Sequence, residues 1–384
     1  MRSCLRIPRI FIPREGNTEW SVIACDRYAS DRAYWERVER SVGESPSTLH
    51  FILPEVFQNE ADEARIKLIR EKMYTALEEE WIVKLLRGFV LTERSLAVGA
   101  RWGIVAAIDL EAYSDSHGSD ALIRPAQEID RARMQAYLEQ RKNAPLEFPH
   151  AVVLYRDKRD KVVRGILKED LERLYAYELM EGGGRVRGLF VPDDIARDAA
   201  LELQSRSGFF AVAEGGDCVA AAKAHWEALK ETLPEAERES HPARLMLVEL
   251  QNICADAVEI HPVHRAVKDI EPEAFCDFLS RNIKCKRKGN VVYAELPTNA
   301  SNVQKIDRLI ERFVRANTGR IEYVRGERAL LTLAQEENCA GVVLKPLDKD
   351  DFFDEIENGK RYPKRAFTLG KARYYVEGRE ISYD

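Results

Sequence analysis

Residues 211–230 read AVAEGGDCVAAAKAHWEALK, and Glu214, Gly215, Gly216 and Asp217 at its start are of types that could handle a phosphate or its metal complex. An apolar run, a double glycine and an alanine-rich stretch predict a strand, a tight turn and a helix. A helix that begins on such a turn aims several backbone N–H groups at one point, which suits an oxyanion. The two acids oppose one. The turn has neither the G-x-G-x-x-G fingerprint nor the Gly-Lys-Ser/Thr of a P-loop, so two readings stand. Either Asp217 caps the helix and the glycines only shape the turn, or the acids hold a divalent cation that carries phosphates. Cys218 adds a third: a helix N-terminus lowers a thiol pKa, although Asp217 beside it works the other way, so a redox-active thiol is an alternative.

A second constellation is HPVHR, residues 261–265. Its flanks, VEI and AV, predict a strand, on which His261 and His264 point to opposite faces and do not share a metal. One imidazole and the Arg265 guanidinium could instead meet an anion; a structural ion pair for Arg265 is the equal alternative. The third is basic: Lys364, Arg365, Lys371 and Arg373 interleave with Phe367, Thr368, Gly370 and Tyr374. Four cations in ten residues on a turn between strands could neutralise a polyphosphate, or simply be a solvated hairpin. There is no G-x-S-x-G nucleophile elbow.

The elements that must position these residues alternate between strand-like and helical patterns along the whole chain, which predicts an α/β or α+β protein. Strands are expected at 20–26, 102–113, 150–157, 185–191, 244–252 and 257–267, with the last two forming a hairpin across the short ICAD. An extended stretch is expected at 47–57. Helices are expected at 32–42, 61–81, 129–142, 168–179, 192–205 and 303–317, and at 348–359 with a closing glycine. The C-terminal YYVEGREI reads as an edge strand. The loop DSHGSD suggests a boundary near residue 118, giving regions 1–118, 119–300 and 301–384.

At 384 residues and 45% hydrophobic composition the chain can bury more than one core. With 59 basic and 65 acidic residues the net charge is −6, and no block of one sign stands out, so a nucleic-acid partner is not expected. The N-terminal MRSCLRIPRIFIP breaks any secretory apolar stretch, and no 18-residue apolar run follows; a cytoplasmic protein with no membrane partner is expected. Seven cysteines without a C-x-x-C pair predict neither disulfides nor a zinc knuckle.

Long stretches are closely similar to the bacterial domain of unknown function 1015 family: residues 22–57, GARWGIVAAIDLEAY, EFPHAVVLYRD, AKAHWEALK, HPARLMLVELQN, EIHPVHRAV, RIEYVRGE and PKRAFTLGKARYYVEGREI. The resemblance implies a ParB/sulfiredoxin-like core with additional N-terminal and C-terminal α/β elements. It implies a small-molecule phosphotransferase framework, because some relatives phosphorylate free L-serine from ATP, ADP or pyrophosphate. It also implies a small anionic metabolite as ligand, and possession of the fold does not fix the reaction.

Two signature loops depart from the family. Where relatives read like A-V-G-D-G-N-H-S-L-A-T-A-K, Gly215, Ala220, Ala222 and Lys223 match, but Asp217 replaces a histidine. Where relatives read like I-R-A-T-E-G-T, this chain has IRPAQEI, with Gln127 in place of a glutamate suited to be a general base. Arg124, His264, Arg265 and the cluster of Lys364, Lys371 and Arg373 keep the pattern and imply an anion-attracting half with Gly215, Gly216 and Lys223. The leading expectation is a small-anion pocket whose phosphotransfer is lost or altered. The alternatives are an active phosphotransferase with Glu128 or Glu214 as base and Asp217 holding Mg²⁺ with a nucleotide or pyrophosphate, and a non-enzymatic nucleotide-binding regulator.

Overall fold

In the computed structural model the described residues are 3–24, 28, 31–60, 63–96, 99–149, 151–370 and 374–382. They form an α+β protein of two compact units. One comprises 1–125, 129–258 and 371–384; the other comprises 126–128 and 259–370. The division follows pairing partners and not the loop at 114–120, so it differs from the three regions expected from sequence.

The first unit is built on a ten-stranded mixed sheet. Its strands are β1 (Leu5–Arg6), β2 (Arg9–Pro13), β3 (Ile82–Leu96), β4 (Gly99–Asp109), β5 (Ile123–Pro125), β7 (Val152–Tyr155), β8 (Arg173–Glu178), β9 (Arg185–Pro192), β10 (Phe210–Glu214) and β11 (Leu245–Asn252), while β6 (Leu146–Glu147) pairs separately with β18 (Arg379–Glu380). The main path runs β5-β10-β7-β11-β4-β3-β9-β8. Side chains alternate with the pleat. Phe89, Leu91, Ile104, Ala106 and Ile108 face one core with Ala199, Leu203, Val219 and Trp226. Val90 and Val105 face the other, with Trp20, Trp35, Phe51, Met73 and Val376.

The helices of this unit are α1 (Arg32–Val42), α2 (Glu63–Glu78), α3 (Arg131–Arg141), α4 (Lys161–Ile166), α5 (Asp193–Ser207), α6 (Gly216–Thr232) and α7 (Glu235–Arg238). Alanines at 220, 221 and 222 are buried on α6, and α3 packs along it.

The second unit holds a six-stranded sheet, β13-β14-β16-β12-β15 with β17 beside β12. Its strands are β12 (His261–Lys268), β13 (Cys285–Lys288), β14 (Val291–Ala294), β15 (Arg320–Arg325), β16 (Cys339–Val343) and β17 (Phe367–Thr368). Its helices are α8 (Pro272–Asn282), α9 (Ala300–Asn317), α10 (Glu327–Leu333) and α11 (Lys349–Glu357).

Several expected elements come out otherwise. The 168–179 helix is a turn followed by β8, because Tyr175 and Tyr177 alternate inward and pair with β9. The hairpin across ICAD does not form: β11 pairs with β4 and β7, and β12 pairs with β15 and β16. Residues 48–51 and 55–60 are 3₁₀ turns rather than extended chain. Of the 20–26 strand only an isolated bridge at Ile23 is present among the described residues.

Candidate functional site

The turn that follows β10 forms as its residues dictate. Gly215 has φ +73, and a Cβ there would stand 2.8 Å from Ala151 Cα, so both handedness and space exclude a larger residue. A Gly215→Ala variant is expected to lose about 2 kcal/mol of stability, read from urea unfolding of the first unit. A loss under 0.5 kcal/mol, roughly that of a neutral surface change, contradicts this account.

Asp217 does not cap its own helix. The N-cap of α6 is Gly215, with no side-chain bond. The Asp217 carboxylate instead reaches across to the start of α3: Oδ1 accepts from Asp130 N–H at 2.8 Å, and Oδ2 lies 3.4 Å from Arg133 Nε. Arg133 also pairs with Glu55. Burial pushes the Asp217 carboxyl up, while Arg133 and the Asp130 N–H pull it back only in part. Two donors that could meet an oxyanion thus already hold a carboxylate of the chain itself.

Glu214 is buried, at 5% exposure, at the end of β10. Arg124, on the neighbouring strand β5, donates to Ser119 O at 3.0 Å and stacks 4.7 Å over the Phe209 ring. Lys223, two turns into α6, pairs with Glu227 at 2.5 Å. Among the described residues no group of three or more His, Cys, Asp or Glu is placed to hold a metal. A divalent cation at Asp217 would have to share it with a guanidinium, a poor fit.

The remaining sequence candidates belong to the second unit. Gln127 forms a parallel bridge with Tyr362, and its Oε1 accepts from Ala366 N–H at 3.0 Å. Glu128 lies 3.8 Å from Arg361. His264 is buried; its Nδ1 accepts from Leu344 N–H at 3.2 Å, and burial, then Arg265, brings its pKa down to about 4, so the ring is neutral. Arg265 is fully buried and makes a bidentate pair with Asp307 at 2.8 and 2.9 Å. That is the ion-pair reading of this arginine. Lys364 is exposed on the turn before β17, and Lys371 and Arg373 lie outside the described residues. The site residues therefore fall in two sets: Arg124, Glu214, Gly215, Gly216, Asp217 and Lys223 in one unit, and Gln127, Glu128, His264, Arg265 and Lys364 in the other.

Sequence reasoning passed over a cationic cleft in the first unit. Around the start of α4 and the end of α5, Arg156, Lys158, Arg159, Lys161 and Arg206 line an open cleft of about 590 Å³ together with Asp157, Glu202 and Ser205. The run YRDKRDK carries four of these five cations, but it reads as a strand end and a surface turn, where charge is ordinary. It also passed over Arg133 and Glu55, which complete the Asp217 cluster.

The chain matches the family described as protein of unknown function (DUF1015) over residues 9–350. No curated protein matches it. Among solved structures, a free serine kinase in complex with AMP is 8% identical, with 72% of this chain and 91% of that chain covered at a TM-score of 0.39. A conserved hypothetical protein from Pyrococcus furiosus is also 8% identical, with 72% and 95% covered at a TM-score of 0.36.

Proposed function

We propose, for a chain that belongs to the DUF1015 family, a binding protein for a small anionic metabolite in which the phosphotransfer implied by the family has been lost. The observation that carries the reading is Asp217, whose carboxylate sits on the Asp130 N–H and beside Arg133. A phosphate arriving at this turn meets a like charge; at about 4 Å and an effective dielectric near 20 that repulsion is about 4 kcal/mol before Arg133 offsets part of it. Gln127, where relatives carry a glutamate, cannot take a proton from a hydroxyl. Support for an anionic ligand comes from the cleft of Arg156, Lys158, Arg159 and Lys161, in a chain whose net charge is −6.

The test is incubation of the protein with L-serine and ATP, ADP or pyrophosphate, followed by ³¹P NMR. No phosphoserine is expected. Asp217→Asn removes the resident charge, and ADP or pyrophosphate is expected to bind that variant about a hundredfold more tightly. Phosphoserine formed by the unaltered protein overturns the proposal. So does Mg²⁺-dependent nucleotide binding that Asp217→Asn abolishes, which is the outcome an active phosphotransferase with Asp217 as metal ligand requires.

A further inference from the structure

Beside the α3–α6 pair, the first unit contains a cavity of about 70 Å³ whose walls include Tyr137, Phe148, Cys218, Ala221, Met246 and Tyr375, with Arg141 as its cation and Glu147 as its anion. Arg141, the last residue of α3, belongs to a buried triad. Its Nη1 bonds Glu147 Oε2 and its Nη2 donates to Leu245 O at 3.3 Å. Glu147 Oε1 accepts from Leu247 N–H at 2.9 Å and from Arg379 Nε at 3.0 Å. The three residues are 9%, 6% and 4% exposed in the order Arg141, Glu147, Arg379, so the triad encloses two cations and one anion away from water.

Both oxygens of Glu147 are thus taken, one positive charge is left over, and Arg141 Nε has no hydrogen-bond partner among the described residues. A buried N–H left unpaired costs about 1–3 kcal/mol. On the same face of α6 as Ala221, one turn on, His225 also has an unpartnered Nδ1. Burial and then the Arg141 charge bring that imidazole down to about 4, so it is neutral and does not add to the positive charge.

We propose that this cavity binds a small aliphatic monocarboxylate, with the carboxylate on Arg141 and the alkyl group against the apolar walls. One negative charge balances the surplus guanidinium. The walls offer no second surplus cation for a dianion such as phosphate. The size also selects: a cavity of about 150 Å³ takes benzene, whereas a water occupies about 30 Å³ of liquid, so the volume here suits a chain of about three or four carbons. Cys218, the residue after Asp217, stands in the wall, but the proposed occupancy rests on Arg141 and does not depend on whether phosphotransfer survives.

Calorimetric or NMR titration of the full chain with propionate and isobutyrate is expected to show saturable one-to-one binding. Propan-1-ol and inorganic phosphate, each lacking one half of the recognition, are expected to bind at least tenfold more weakly. Arg141→Met leaves the Glu147–Arg379 pair intact and is expected to weaken propionate at least tenfold. Ala221→Leu fills the cavity while leaving every charge in place, and is expected to abolish binding. The proposal is overturned by the absence of saturable propionate binding, by propan-1-ol binding as tightly as propionate, or by Arg141→Met retaining the affinity. Should Arg141→Met fail to fold, the alcohol comparison and Ala221→Leu decide the matter alone.

Discussion

Replacing Glu147 with glutamine is expected to destabilise the first unit by about 3–5 kcal/mol, the cost of removing one partner from a buried ion pair. The side chain keeps its shape and can still accept from Leu247 N–H, so the loss is electrostatic. Burial disfavours the Glu147 carboxylate, yet Arg141 and then Arg379 hold it below the ordinary carboxylate range. Without it two guanidiniums face each other with backbone carbonyls as their remaining bonded partners. The check is urea unfolding of Glu147→Gln alone and combined with Arg141→Met. Because the double variant removes the repulsion as well as the attraction, it is expected to be more stable than the single one, a non-additivity of 1 kcal/mol or more typical of groups in contact. A single variant within 1 kcal/mol of the parent, roughly the median for an exposed pair, would mean that the triad is not desolvated.

The second large effect concerns pH. Glu377 is 8% exposed on the opposite side of the first unit's sheet from α5 and α6, where it accepts from the Tyr175 hydroxyl. Glu249 of β11, bonded to Thr92 at 3.1 Å, faces it, and Tyr177 and Tyr374 stand nearby. The space for Glu249 comes from Gly103, where a Cβ would lie 2.1 Å from Glu249 Oε1. Burial raises the Glu377 pKa from 4.5 to about 7, against the Tyr175 bond, and the Glu249 charge adds to the rise. The folded value lies above the unfolded one, so the neutral acid is the favoured form in the native state. Its contribution is complete below pH 4.5 and is lost as the pH rises through about 7, amounting to about 3 kcal/mol. Glu377→Gln keeps the hydrogen bond without the charge. At pH 8 this variant is expected to exceed the parent in stability by about 3 kcal/mol, and the difference is expected to vanish near pH 4.5. Urea midpoints of the two proteins across that range decide it, and a difference that does not vary with pH refutes the assignment.

Much of the scaffold was legible because burial leaves a period in the sequence. WGIVAAIDLEAY and the alanines of α6 declared their elements, and the glycine turn formed where its residues required. Misreadings came where partners rather than local pattern decide. The 15-residue β3 was overlooked: charged and polar residues interrupt IVKLLRGFVLTERSL, and only pairing with β4 and β9 together makes it a central strand. LERLYAYEL carries helix formers, but Tyr175 and Tyr177 need a pleat. At the site, the sequence disclosed that Asp217 and Gln127 break the family pattern. It could not disclose that Asp217 would spend itself on Asp130, 87 residues earlier, or that Arg379 would join Glu147 across 232 residues.

That last separation bears on how the polypeptide is made. Glu147 is synthesised early, and the segment carrying Arg379 leaves the ribosome only after residues 259–370, which belong to the other unit. Until then β6 has no β18 beside it and the nascent carboxylate has one guanidinium instead of two. The earlier-made unit therefore waits for its last strand, while every residue of the later-made one, 126–128 and 259–370, has emerged before Arg379 does.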